Sequence, residues 1–104
     1  LKYRGPIPSW FMEHPDRPLS RELVIVNELG LHARSASKIA AVAKNAAAGV
    51  WVIKDGQAAD AASIIDLLSL ACAKDTTITL KVDSPSDREI LDRIAALVEN
   101  GFGE

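Results

Sequence analysis

The stretch Leu-Gly-Leu-His-Ala-Arg at residues 29–34 joins two runs of different periodicity and so constrains the fold more than any other part of the chain. The apolar run before it, at residues 23–26, is typical of a β-strand, whereas small apolar residues recur at helical spacing from Ser35 onward. Gly30 adopts left-handed backbone angles freely and Asn27 tolerates them, so both permit a sharp bend between the two runs. The stretch therefore predicts a strand, a tight loop and a helix start in direct succession.

His32 and Arg34 fall at the start of this predicted helix, where backbone amides have no intrahelical acceptor. The amides of Ala33 and Ser35 point outward there, and the helix dipole adds partial positive charge, so the position favours a phosphate. The Arg34 guanidinium adds a planar fork of donors, and the His32 imidazole adds a nucleophilic nitrogen. These residues predict a histidine that carries a phosphoryl group. The alternative is that His32 is only a helix cap or a surface residue.

Two longer segments extend this motif into a family resemblance. VNELGLHARSASKIA at residues 26–40 and KDGQAADAASIIDLLSLACAKDTTITLKV at residues 54–82 resemble the histidine-containing phosphocarrier protein (HPr) family of the bacterial phosphotransferase system. The similarity covers about residues 22–104 and continues to the final NGFGE. The resemblance therefore covers most of the chain, without an evident gap.

The resemblance implies a role for several residues. His32 would carry the phosphate on Nδ1, Arg34 would steady it, and Ser63 would be a regulatory phosphorylation site, as it is in some branches of the family. Ser35 stands where the common motif has proline. That replacement is similar to HPr relatives outside the sugar-transport branch, including nitrogen-related ones.

The resemblance also implies partners. Enzyme I would donate the phosphoryl group and a downstream enzyme IIA-type domain would accept it, so the protein would be a carrier and not an enzyme. An HPr kinase/phosphorylase is a further expected partner at Ser63. The alternative is a nitrogen-type or purely regulatory relative that binds partners according to its phosphorylation state. Family members dock partners with their first two helices, and the candidate docking residues are Ser37, Lys44, Ile64, Ile65 and Leu68.

The composition limits the other functions. The 104 residues suit one small domain, and a net charge of −2 provides no basic field for nucleic acid. An RNA-binding domain is disfavoured for that reason and for its lack of stacking aromatics on the strands. An acylphosphatase-like hydrolase would need a water-positioning group that we do not find. Without a metal-ligand cluster or an apolar membrane span, we expect no metal, no cofactor and no membrane insertion. We expect a cytoplasmic monomer, with the lone Cys72 reduced.

The order of periodic segments predicts an α+β fold, β-α-β-β-α-β-α. Asp55-Gly56 is a strong signal for a two-residue hairpin, and Gly49 is expected to end the first helix. The spacing of Ser63 and Asp66 predicts a capping box. The resemblance implies one antiparallel sheet of order 1-4-2-3 with three helices on one face, an open-faced β-sandwich. The predicted strands are residues 22–27, 50–54, 57–60 and 77–82, and the predicted helices are residues 35–47 and two that begin near Ser63 and Ser84.

Apolar stripes at helical spacing predict the buried face of each helix. On the second helix, one side is expected to face the sheet and the other, with Ile64, Ile65 and Leu68, to be exposed. The alternative is a helix buried on both sides. The residues expected to face the sheet are Ala36, Ile39, Ala40, Ala43 and Ala47 on the first helix, Leu67, Leu70 and Ala71 on the second, and Ile90, Leu91, Ile94, Leu97 and Val98 on the third.

Residues 1–21 differ from the rest of the chain and predict an extended arm, because proline excludes regular helix and central strand. Residues 22–104 are then the folded domain. A start at Met12 would give the length typical of the family, so residues 1–11 are expected to be either an artificial addition or an upstream misreading of the start. His14, within this arm, is expected to be a solvated side chain. The arm contains four of the five prolines, Pro6, Pro8, Pro15 and Pro18.

Overall fold

Residues 19–104, which a computed structural model describes, contain four strands and three α-helices. Short 3₁₀ turns, Pro85–Asp87 and Gly101–Gly103, stand before and after the last helix. The order confirms the predicted β-α-β-β-α-β-α arrangement. The elements are β1 (Ser20–Val24), α1 (Ala33–Ala43), β2 (Val50–Lys54), β3 (Gln57–Asp60), α2 (Ile64–Ser69), β4 (Thr77–Val82) and α3 (Arg88–Glu99).

The four strands form one antiparallel sheet in the order β1-β4-β2-β3, as expected. Val52 of β2 stands opposite Leu80 of β4 and Ala59 of β3. Because alternate residues of a strand point to opposite faces, this register places buried apolar side chains on one face. The β2–β3 hairpin turns at Asp55 and Gly56, whose φ angles of 51° and 79° are both positive, as a type I′ turn requires.

The three helices cover that apolar face of the sheet. Ile39 of α1, Leu67 of α2 and Ile94 of α3 are fully buried and belong to one core cluster with all four strands. The opposite face carries exposed residues such as Glu22 and Val24. The described residues therefore form an α+β open-faced β-sandwich, as predicted. Ser20 and Arg21, which were predicted to belong to the arm, lie in β1. The rest of the predicted arm stays a prediction, because residues 1–18, including His14, lie outside the described residues.

Strand β1 lies earlier in the chain than predicted, at Ser20–Val24 instead of residues 22–27. Its pairing with β4 is extended at the start by the Val82 amide, which donates to the Leu19 carbonyl at 2.9 Å. At the other end Ile25 leaves the ladder and bonds to the loop before β4, through Thr76 at 2.9 Å and Asp75 at 2.7 Å. The apolar run alone could not show this change of partner.

Helix α1 also differs from its prediction, which was residues 35–47. It begins at Ala33 and ends at Ala43, so Ala47 is exposed and does not belong to the buried stripe. The buried Asp87 carboxylate explains the early end, because it accepts the amides of Ala47 and Ala48 at 2.8 and 2.9 Å and holds them in a loop. The prediction that Gly49 caps the helix is wrong.

Gly49 has a different reason to be glycine. A Cβ at this position would overlap Asp83 Oδ2 and would lie 2.7 Å from Trp51 Nε1, which is closer than side-chain carbons approach in folded proteins. Those two atoms are hydrogen-bonded to each other at 2.9 Å. Gly49 therefore permits a close approach of the loop to the sheet.

Helix α2 is confirmed at its start and corrected at its end. The Ser63 hydroxyl accepts the Asp66 amide at 3.2 Å, as an N-cap does. The Asp66 carboxylate accepts the Asp60 amide at 3.4 Å, which differs from the reciprocal bond of the predicted capping box. Leu67 and Leu70 are buried as expected, but Ala71 has a φ of 52° after the helix end and is exposed.

Helix α3 begins as its proline predicts. The Ser84 hydroxyl accepts the Ser86 amide at 3.2 Å, and Pro85 opens a 3₁₀ turn that leads into the α-helix. Ala95 is buried although it was not predicted to be, whereas Leu97 is only partly buried. The buried stripe is therefore shifted slightly around the helix.

Candidate functional site

The loop between β1 and α1 is held against the segment that follows α2. The Leu31 amide donates to the Cys72 carbonyl at 2.8 Å. Gly30 has a φ of 67°, and a Cβ there would lie 2.5 Å from the same carbonyl oxygen. Glycine is therefore required at position 30, both because the φ angle is positive and because a side chain would collide with the Cys72 carbonyl. Asn27, in contrast, does not have a positive φ, so the expected left-handed angle is wrong there. Asn27 takes part in the bend through its carbonyl, which accepts a hydrogen bond from the Gly30 amide at 3.0 Å.

His32 is the N-cap residue of α1. Its backbone is extended, and its Nδ1 accepts a hydrogen bond from the Arg34 amide at 3.3 Å. The side chain retains 26% of its exposure, so the ring is reachable from solvent. The structure thus places His32 and Arg34 at the helix start, where the sequence predicted them.

The side chain of Ser35 stabilises the His32 cap by a hydrogen bond to its backbone. Its side chain is completely buried, and its Oγ accepts the His32 amide at 2.9 Å. The same hydroxyl lies 3.1 Å from the His32 carbonyl oxygen and 3.4 Å from that of Gly30, to which it can donate. Only the amide of Ser35 was predicted to take part, and the role of its side chain was missed. Ser35 stands three residues after His32, which is the spacing of a capping box, and this spacing was the sequence signal that could have predicted the role of its side chain.

Glu104 is a site residue that no sequence pattern indicated. Its Oε2 lies 2.5 Å from Nε2 of His32, and its Oε1 accepts a hydrogen bond from Nδ2 of Asn27 at 2.9 Å. The Asn27 bond is the largest influence and lowers the pKa of Glu104; desolvation opposes it, and the contact with His32 and the positive charge of Arg34 lower the pKa further. The net pKa of Glu104 is below its ordinary value, so the group is a carboxylate at neutral pH.

The segment that carries Glu104 is anchored on two sides. Phe102 is buried in the core despite a φ of 59°, and its carbonyl accepts Nζ of Lys38 from α1 at 2.6 Å. Asn27 is buried and also donates to the Gly30 carbonyl at 2.7 Å. The site therefore brings together the β1–α1 loop, α1 and the end of the chain, and the last of these has no local sequence signal.

The remaining predicted phosphate-binding groups are accessible. Ala33 and Arg34 are exposed in the first turn of α1. A helix N-terminus, a guanidinium and an imidazole nitrogen with a lone pair can together receive a phosphoryl group and stabilise its charge. Within residues 19–104, no group of three or more His, Cys, Asp or Glu side chains is placed to hold a metal ion.

The predicted docking residues lie at the surface. Ile64, Ile65 and Leu68 retain 38%, 80% and 37% of their exposure on the outer side of α2, and we call these three residues the α2 patch. Ser37 and Lys44 are exposed on and just after α1. The alternative of a doubly buried α2 is therefore wrong.

None of the helices in the described part of the chain is both long enough and apolar enough to cross a membrane.

Comparison with known proteins gives a consistent result. The profile of a family described as "PTS HPr component phosphorylation site" matches residues 19–100. The phosphocarrier protein HPr of Cupriavidus necator is 40% identical over 86 residues, which cover 83% of this chain and 97% of that protein. The phosphocarrier protein NPr of Shewanella violacea is also 40% identical over 86 residues, covering 83% of this chain and 94% of that protein.

A solved structure extends the similarity to the fold. The crystal structure of HPr-C-His from Thermoanaerobacter tengcongensis matches with a TM-score of 0.77 at 29% identity, covering 82% of this chain and 96% of that one. The family profile spans most of the chain, and the curated relatives are covered almost completely. The chain belongs to the HPr family of phosphocarrier proteins of the phosphotransferase system.

Proposed function

We propose that His32 accepts a phosphoryl group from Enzyme I and passes it to a downstream IIA-type domain. The observation that carries this proposal is the position of His32 as the cap of α1, with Nδ1 against the Arg34 amide. Because Nδ1 accepts that hydrogen bond, it carries a lone pair and no proton. A nucleophilic nitrogen thus faces the region where a helix N-terminus attracts phosphate.

The transfer requires one bond to form and one to break. The Nδ1 lone pair of His32 attacks phosphorus in line, while the bond from phosphorus to its donor atom on Enzyme I breaks and leaves its electron pair there. The Arg34 amide, released from Nδ1, is then available to a phosphoryl oxygen. The return step to the acceptor domain is the same displacement, with His32 as the leaving group.

The surroundings of His32 favour a carrier that releases its cargo. The amides of Ala33 and Ser35 and the guanidinium of Arg34 supply positive charge, while Ala33 and Arg34 remain exposed. Phosphoryl transfer depends mainly on positioning and on charge stabilisation, which these groups provide. An open cradle lets the acceptor domain approach the bound phosphoryl group from the side opposite to His32.

The test charges the protein with phosphoenolpyruvate and Enzyme I. The wild-type protein should take up one label that is lost in acid and stable in alkali, as expected of a phosphoramidate. His32→Ala should take up none, while His14→Ala, which removes the other histidine, should be labelled like the wild type. Labelling of His32→Ala, or a label that survives acid, would contradict the proposal.

The branch of the family is a second question. Ser35 replaces the common proline, and relatives named HPr and NPr match this chain at the same 40% identity. We infer a nitrogen-type or regulatory role as the alternative to sugar transport. Offering the phosphorylated protein to sugar-type and nitrogen-type acceptor domains side by side distinguishes the two. Transfer to neither, with phosphorylation-dependent binding of another protein, would support the purely regulatory role.

The α2 patch is the proposed docking surface for Enzyme I, together with Ser37 and Lys44. Its three apolar side chains are exposed together on one side of a short helix, and such a grouping is typical of a protein contact. Ser63 caps the helix that carries the patch, so a phosphate on Ser63 would place a hydrated dianion beside it.

Whether an HPr kinase modifies Ser63 depends on Asp66. The backbone amide of Asp66 already donates a hydrogen bond to the Ser63 hydroxyl. The carboxylate of Asp66 lies in the same turn and would repel an incoming phosphate. Incubation with HPr kinase and ATP tests this site. Modification of the wild type supports a regulatory Ser63, whereas modification of Asp66→Gly alone shows that Ser63 is only a cap here.

A further inference from the structure

Each carboxylate oxygen of Glu104 has its own partner in the site. Oε2 contacts Nε2 of His32 at 2.5 Å, and Oε1 accepts Nδ2 of Asn27 at 2.9 Å. A carboxylate can only accept hydrogen bonds, so Nε2 of His32 must be the donor in this contact. The ring then has its proton on Nε2 and its lone pair on Nδ1, which agrees with the hydrogen bond that Nδ1 accepts from Arg34.

Asn27 gives this contact its rigidity. The side chain is buried, and its Nδ2 donates to the Gly30 carbonyl at 2.7 Å as well as to Glu104. Since Gly30 belongs to the loop that presents His32, one amide group ties the loop to the carboxylate. Lys38 and the buried Phe102 hold the same segment from the other side, so Glu104 is not a free terminal side chain.

We propose that Glu104 is a positioning residue for the phosphoryl acceptor and that Asn27 holds Glu104 in place. The proposal rests on the proposed role of His32. As Nδ1 bonds to phosphorus, the ring keeps its proton on Nε2 and gains positive charge, so the Nε2–H becomes a stronger donor. The negative charge of the Glu104 carboxylate stabilises the positive charge on the ring as that charge develops. It acts on the reaction through the ring and touches neither the phosphoryl group nor its donor.

The carboxylate also repels the incoming phosphoryl group, but three features limit this effect. Glu104 sits at Nε2, the ring nitrogen opposite to the one that reacts. The positive charge of Arg34 lies close enough to act on Glu104, so it offsets the negative charge locally. The hydrogen bond from Asn27 stabilises the negative charge on Oε1 of Glu104. The stabilisation of the ring is therefore expected to exceed the repulsion.

The test compares Glu104→Gln with Glu28→Gln. Glu28 is an exposed carboxylate of the same loop that pairs with Lys74, so its loss changes the net charge equally without a contact to the ring. The first measurement needs no transfer. Nitrogen and proton NMR of the His32 ring should show a downfield Nε2–H signal with slow exchange in the wild type and in Glu28→Gln, and should show that signal shifted upfield with faster exchange in Glu104→Gln.

The second measurement is the rate of phosphorylation by phosphorylated Enzyme I. Replacement of a charged acceptor by a neutral one should lower kcat roughly tenfold in Glu104→Gln, with KM changed less than about twofold. Glu28→Gln should match the wild type. A change in melting temperature without a change in ring signal or kcat would show that Glu104 only fastens the end of the chain, and would overturn the proposal.

Asn27→Ala tests the second residue. It removes both Nδ2 hydrogen bonds and should weaken the Nε2–H signal in the same direction as Glu104→Gln. An unchanged ring signal in folded Asn27→Ala would overturn the role of Asn27. If that variant does not fold, Glu104→Gln decides the role of Glu104, and Asn27→Ser, which keeps a polar side chain, decides the role of Asn27. The labelling test with phosphoenolpyruvate and Enzyme I checks the role of His32 separately, because labelling of His32→Ala would contradict that role whatever the result for Glu104.

Discussion

At the scale of single residues, Arg34 differs from Ser35 and Asn27 in the exposure of its side chain. Ser35 beside it is completely buried, and Asn27 is buried in the preceding loop. The Arg34 guanidinium is therefore available to a ligand, and its loss removes no core packing. This makes Arg34 the residue at which transfer and stability can be separated.

We expect Arg34→Ala to slow phosphoryl transfer to His32 without changing the fold. A charge-assisted hydrogen bond contributes about 1.5–3 kcal/mol, which corresponds to a loss of roughly ten- to a hundredfold in rate. Stopped-flow or quenched transfer assays measure the rate, and thermal unfolding measures stability. Arg93→Ala, which replaces an exposed arginine of α3, is the control and should match the wild type in both. Equal rates in the two variants would contradict the role of Arg34.

At the scale of elements, the loop between β1 and α1 depends on the segment after α2 for its shape. Gly30 combines a positive φ with a close approach to the Cys72 carbonyl. Gly56 in the hairpin also has a positive φ, of 79°, but a Cβ added there would meet no atom within 4 Å. Substitution of either glycine would therefore strain the backbone, but only at Gly30 would the added Cβ also collide with a neighbouring atom.

The comparison of Gly30→Ala with Gly56→Ala measures that contact. Gly56→Ala should lower the free energy of unfolding by about 1 kcal/mol, from the strain of a positive φ alone. Gly30→Ala should lower it by about 2 kcal/mol more, because overpacking adds to the strain. Urea unfolding checks both values. If the two variants are equally stable, the loop can move away from Cys72 and does not depend on it.

The α2 patch lies on the helix that Ser63 caps, so a charge at the cap should affect docking. Ser63→Asp should fold normally, because Asp is a good N-cap and a helix N-terminus tolerates its charge. It should nonetheless raise the KM for Enzyme I severalfold, since a charge would lie beside the patch. Ser86→Asp, which adds the same charge near the start of α3, is the control. A wild-type KM for Ser63→Asp would show that the patch is not the docking surface.

At the scale of the whole molecule, residues 19–104 form a complete layered unit. Every strand of the sheet is paired, and one core cluster includes residues from all four strands and all three helices. Leu19 contributes to this unit through its carbonyl and its contact with the core. Little of the stability is therefore expected to depend on the first residues.

Deletion of residues 1–11 should leave both the melting temperature and the rate of phosphoryl transfer unchanged. Deletion of residues 1–21 should lower the melting temperature, because it removes Ser20 and Arg21 from β1 and also the Leu19 contact with β4. Thermal unfolding and the transfer assay check both deletions. A loss of several degrees in the shorter deletion would mean that Trp10 or Phe11 packs on the domain.

Features that depend on neighbouring residues were predictable from the amino-acid sequence. The bounds of β2, β3 and β4 agree with the prediction, because alternation and the Asp55-Gly56 turn are local properties. The position of His32 and Arg34 at the start of α1 was predicted for the same reason. A helix start depends on a few consecutive residues, and the motif contained them all.

The distant groups that complete these local features became visible only in the folded chain. Asp87 ends α1 from 40 residues away along the chain, and Glu104 reaches His32 across 72 residues and Asn27 across 77. Such contacts leave no periodicity in the sequence. They form because packing brings distant segments of the chain together, and the buried members of these contacts, Asp87 and Asn27, need hydrogen-bond partners that only the fold can supply.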